Sequence, residues 1–163
     1  MSKTTYVLYG NRGFWAYDVA LGVFLKHLID AAEASDQAKT EWLAAAIADW
    51  RIGACVSDIG LTLDAGWSAA QRQSFVALAE QACAALAKRS SIPAQEIVAW
   101  PLHDDLYISS RGAAEVRTAP VIELGHAIIA LACGVLPEAP DGKAWLYGTP
   151  GGRQTSLECN RKD

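Results

Sequence analysis

Residues Trp50–Leu86 read WRIGACVSDIGLTLDAGWSAAQRQSFVALAEQACAAL. Gly53 is a natural stop for a preceding helix. Ile59, Leu61 and Leu63 then alternate with Gly60, Thr62 and Asp64. That period of two fits a short strand, or equally a buried loop that turns Asp58 and Asp64 outward. Ser68-Ala69-Ala70-Gln71 is an S-x-x-Q capping box, in which side chain and backbone satisfy each other at a helix start. Phe75, Leu78, Ala79, Ala82, Cys83 and Leu86 follow as one apolar stripe at helical spacing.

Upstream, Phe14, Tyr17, Leu21, Phe24, Leu25, Leu28 and Ala32 fall at steps of three and four, which predicts a helix over Phe14–Ala34. A second helix is expected from about Gln37 to Ile52, capped by Ser35 or Asp36 and hairpinned to the first. Thr5–Tyr9 is too short to assign. Downstream, Ser90-Ser91-Ile92-Pro93 opens a short helix ended by Pro101. Residues 102–112 read as loop, with a strand at Leu106–Ser109. Ala119–Val135 is apolar around most of its circumference, the mark of a core helix. Ala144–Tyr147 and Gln154–Glu158 read as a hairpin, with a type II turn at Thr149-Pro150-Gly151-Gly152 and a frayed NRKD tail. The expected fold is mainly α (α+β): a bundle of about five helices around the central helix Ala119–Val135, with a small C-terminal β-hairpin. Residues 1–163 are expected to form a single domain.

Composition narrows the function classes. The chain is 52% hydrophobic, with six Trp, one Met and a net charge of -4. Such a chain needs neither a disulfide nor a metal to hold its core. Mild acidity disfavours a nucleic-acid binder, which carries a basic stripe. Cys55, Cys83, Cys133 and Cys159 contain no C-x-x-C, and Cys83 and Cys133 lie on apolar stretches, so reduced core thiols are expected. The first residues lack an export signature, and no apolar run reaches membrane-spanning length, so the expected location is cytoplasmic, with no membrane partner.

Chemistry-bearing motifs are sparse. His27, His103 and His126 have no metal-ligand spacing, so neither metal nor cofactor is expected. Glu123 and His126 share a helix face, an arrangement that serves as an acid–base pair or as mutual satisfaction at a core edge. Gly148–Arg153 is glycine-rich but leads into no helix, so it reads as a turn and not a phosphate cradle. Charge is asymmetric: Glu96, Asp104, Asp105, Glu115, Glu123, Glu138 and Asp141 face only Arg111 and Arg117 between Ser90 and Asp141. His103, Asp104, Asp105 and Tyr107 form an acidic, aromatic-flanked loop suited to a basic protein partner. With Asp58, Asp64 and Glu115 they are the candidate partner-binding residues, and no catalytic residue is assigned.

Three stretches, WAYDVALGVFLKHL (Trp15–Leu28), WRIGACVSDIGLTLDAGWS (Trp50–Ser68) and GKAWLYGTPGG (Gly142–Gly152), together resemble small cytoplasmic immunity proteins of bacterial polymorphic toxin systems, including type VI secretion and contact-dependent inhibition. The resemblance implies a non-catalytic protein that binds a cognate toxin or effector and occludes its active site. It transfers no individual site residue. The alternatives are a small enzyme using Glu123 and His126, and a secretion-system adaptor or chaperone.

Overall fold

The computed structural model describes residues 4–157. Thr4–Tyr9 forms β1 and Arg12–Tyr17 forms β2, paired antiparallel from Thr4↔Tyr17 to Tyr9↔Arg12. The loop is Gly10-Asn11, and Gly10 has φ +61°, as a type II′ hairpin requires at its first central position. The helix expected from Phe14 therefore begins later, as α1, Asp18–Ala34. Phe14 and Ala16 are buried while Gly13, Trp15 and Tyr17 are half-buried, a strand period of two. Phe14 and Tyr17 match the helical spacing of α1 only by coincidence.

The second helix, α2, spans Glu41–Cys55 and starts later than expected, after Thr40 and with no side-chain cap. The alternating run resolves as strand β3, Leu61–Leu63. Helix α3, Ala69–Leu86, has the complete capping box: Gln71 N donates to Ser68 Oγ at 3.1 Å, and Ser68 N donates to Gln71 Oε1 at 2.9 Å. The expected start of a helix at Ser90–Pro93 is instead strand β4, Ser91–Pro93, followed by the short α4, Ala94–Val98. Strand β5, Glu115–Arg117, pairs antiparallel with β4. At 106–109, where a strand was expected, there is only an isolated His103↔Leu106 bridge. Helix α5 is Thr118–Ala132. Strands β6, Lys143–Tyr147, and β7, Gln154–Leu157, form the expected hairpin. Its connection is closed by Gly152 N donating to Thr149 O at 2.8 Å. Positive φ falls on Gly152 and not Gly151, so the turn is not type II. The expected tail and Cys159 lie outside the described residues.

The hairpin is no appendage. β6 pairs parallel with β2 (Trp15↔Leu146), and β3 pairs parallel with β1, giving one mixed sheet in the order β3-β1-β2-β6-β7. The fold is therefore mixed α/β, not a helical bundle with a small hairpin. Local periodicity could not reveal this sheet, because its strands are short and its parallel pairings join distant segments. One sheet face buries Val7, Phe14, Ala16, Leu61, Leu63 and Tyr147 in the core. The other carries half-buried Tyr6, Leu8, Trp15 and Leu146.

The central helix is α1, not α5. It packs on α2, α3 and α5 and buries residues on every side, among them Leu21, Val23, Phe24, Leu25 and Leu28. Gly22 permits the approach to α2: a Cβ there would stand 2.6 Å from Ala54 O and 3.1 Å from Ile108. Cys83 is buried between helices, and its thiol is pushed up to about 11, first by burial and then by Glu80. Cys133, expected in the core, is exposed because α5 ends one residue before it.

Two consequences can be measured. Gly22→Ala forces α1 away from α2 and should cost about 1–3 kcal/mol in urea unfolding; an unchanged midpoint would refute the contact. His27 lies with Nδ1 2.8 Å from Val23 O and its ring edge-on to Trp100 at 5.7 Å. Burial is the main cause holding its pKa below 6.5; Lys26 and Arg89 add to the shift, while the Val23 carbonyl and Asp30 oppose it. Below pH 6.5 the unfolded chain therefore binds the proton more readily than the folded one. His27's share of stability is complete above pH 6.5 and is lost as pH falls to the depressed folded value. His27→Gln should remove that part of the slope in a series of unfolding curves.

Candidate functional site

Three distant segments meet at Asp18, the first residue of α1. Arg111 donates to Asp18 Oδ2 from Nη2 at 2.5 Å and from Nε at 3.2 Å. Ser57 Oγ donates to the same oxygen at 2.9 Å and accepts from Arg111 Nη2 at 3.3 Å. The Asp18 side chain is only 9% exposed, and its Oδ1 is buried without a protein partner. A carboxylate in a first helical turn suits the helix dipole. Its hydrogen bond is the main cause raising the Arg111 pKa above the ordinary value. Arg111 is also one of two non-glycine residues with positive φ among those described, at +54°.

These groups line a cavity of about 100 Å³ with Gly53, Cys55, Ile108 and Ser109. Burial pushes the Cys55 thiol up, so it keeps its proton at neutral pH. No imidazole lines the cavity, so Ser57 lacks the hydroxyl–imidazole relay that usually activates a serine. The arrangement acts as an ion-pair node tying residues 56–59 and 103–112 to the start of α1.

The two tied segments carry most of the candidate residues. Asp58 is exposed one residue after Ser57, and Ile59 beside it is 55% exposed. On the other segment Asp104, Asp105, Leu106 and Tyr107 are exposed, Tyr107 at 55%. Asp104 has φ +33°, and its carboxylate stands 3.6 Å from His103 Nδ1, too far for a hydrogen bond. Ile108, next in the chain, is buried against Gly22 and fixes the loop to the core.

From Ile59 the surface continues as two grooves along β3, the edge strand of the sheet. The first, about 210 Å³, is lined by Asp49, Trp50, Ile52, Ile59, Gly60, Leu61 and Thr62. The second, about 240 Å³, shares Asp49, Trp50 and Thr62 with it and adds Trp42, Asp64, Trp67 and Gln71. Asp64 is thus on the same surface as Ile59. Glu115 is not brought into this group: it lies on β5, accepts from Ser91 Oγ at 2.9 Å and lines a separate groove with Tyr17, Val116 and Pro150.

Glu123 and His126 do not form a pair. Glu123 Oε1 accepts from Arg153 N at 2.6 Å, fastening the β6–β7 turn to α5, and Arg153 lies 4.1 Å from the Trp145 ring centre. His126 is exposed. Among the described residues no three His, Cys, Asp or Glu side chains are grouped as a metal site, and no helix is long and apolar enough to cross a membrane. Compared with protein-family models, curated proteins and solved structures, the chain matches none.

Sequence reasoning missed Asp18 and Arg111 as a unit, and missed Trp42 and Trp67 as groove walls. The node predicts a non-additive cycle. Asp18→Asn and Arg111→Gln should each speed amide hydrogen exchange over residues 56–59 and 108–112, and the double variant should be little worse than either single one. Additive effects would show that the two side chains act independently.

Proposed function

We propose that this chain is a non-catalytic binding protein of the immunity type, which neutralises a cognate antibacterial toxin in the cytoplasm by covering the toxin's active site. The observation that carries the reading is the pairing of exposed apolar side chains with carboxylates on two segments held by one ion-pair node. Ile59 stands beside Asp58, and Leu106 and Tyr107 beside Asp104 and Asp105. Apolar or aromatic anchors within a charged rim are how protein interfaces combine affinity with steering. The rim is acidic, so the complementary surface is basic, as around the sites of toxins that act on nucleic acids or their precursors. The loops need no induced order, because Arg111 and Ile108 already fix them, which lowers the entropy lost on association.

The test is co-expression with the toxin encoded beside this gene. A stable complex and rescued growth are expected. Tyr107→Ala should weaken the complex by about 30-fold, as a hot-spot aromatic does. Asp104→Lys with Asp105→Lys should slow association and reduce its salt dependence. No complex, no rescue, or a complex indifferent to all three changes overturns the proposal. So does binding confined to a cargo's transport segment, the outcome expected of an adaptor.

A further inference from the structure

The second groove is built unlike the rest of the surface. Trp42 and Trp67 meet edge to face, with ring centres 5.5 Å apart and planes at 75°, so they form a corner and not a flat platform. Trp67 is held there by Phe75, 5.2 Å away, and by its place just before the α3 capping box. Among the described residues, the charged side chains lining the groove are Asp49 and Asp64. Asp64 Oδ1 is engaged by Gly66 N at 2.7 Å, which fixes the carboxylate at the groove wall, and Asp49 is exposed beside Trp50. An indole face attracts a cation through its quadrupole, and a nearby carboxylate adds a full charge.

We infer that this groove holds one cationic side chain, a lysine ammonium or an arginine guanidinium, of a bound protein partner. This deepens the binding reading above and rests on it for the identity of the partner. Aromatic corner and carboxylates select the same ligand: the ring faces attract a cation, and Asp49 and Asp64 oppose any anion. A sugar would prefer a flat aromatic face and a ring of free hydrogen-bonding groups. Here the Oε1 of Gln71 is already taken by Ser68 N. The site lies on the surface that Ile59 begins, so a basic segment laid along β3 from the acidic loops would place a side chain in it.

The pocket is testable without the partner. Methylguanidinium and methylammonium chlorides are titrated into the full chain while the indole N–H resonances of Trp42 and Trp67 are followed, with sodium chloride at equal ionic strength and glucose as comparisons. Saturable shifts with the organic cations alone are expected. Asp49→Asn should weaken them about five-fold, and adding Asp64→Asn should weaken them further. Asparagine still accepts from Gly66 N, so the fold is kept. Equal response to sodium chloride, indifference to both substitutions, or saturation by glucose overturns the inference. Cation binding in the groove with no toxin complex leaves the pocket standing and removes the immunity reading. A toxin complex with a groove blind to cations does the reverse.

Discussion

The Arg111–Asp18 ion pair joins residues 93 positions apart, and it ties both loops of the candidate surface to the core. Asp18 begins the helix that organises the core, so whatever is bonded to it is referenced to the most buried element. Through Ser57 the pair fixes the exit of α2 and the approach to β3. Through Arg111 it fixes the end of the acidic loop. A pair with one member almost fully buried is held more firmly than a solvent-swept surface bridge, because fewer competing waters reach it. Arg111 adopts left-handed backbone to make the contact, a conformation costing about 1–2 kcal/mol in a residue with a Cβ. Two guanidinium hydrogen bonds to a carboxylate offset that cost.

The helices were largely legible because their information is local. The Ser68–Gln71 box marks the start of α3 and the Phe75–Leu86 stripe its buried face, though Lys88 and Arg89, read as its close, lie past its end at Leu86, and α2 and α5 show their buried faces. The sheet was not legible, for two physical reasons. Phe14 and Tyr17 stand a helical step apart, yet in β2 they lie on opposite faces of the sheet, and only pairing with β1 reveals the strand. β4 and β5 have three residues each, too few for a periodicity to emerge, and although β3 showed its alternation, its partner β1 lies far along the chain.

The candidate site divides the same way. Asp58 and the Asp104–Tyr107 run were visible because exposed acids and aromatics in loops are local features. Asp18 was hidden as one polar residue off an apolar stripe, and Arg111 as one count in a charge balance. Trp42 is on α2 and Trp67 in the connection before α3, so neither announced a groove. Glu123 and His126 show the converse error. Spacing placed them on one helix face, but Glu123 accepts from the Arg153 backbone N–H of the C-terminal hairpin instead.

The parallel pairing of β2 with β6 has a consequence for biosynthesis. Trp15 meets Leu146 across almost the whole chain, so the centre of the sheet closes the largest loop in the molecule and bears its closure entropy last. While the protein emerges from the ribosome, the β1–β2 hairpin forms early, but its β2 edge stays unpaired until β6 is synthesised. For that interval an edge carrying Phe14, Trp15 and Tyr17 is open to other nascent chains. The same topology that makes the finished sheet continuous makes β6 the segment on which escape from aggregation depends.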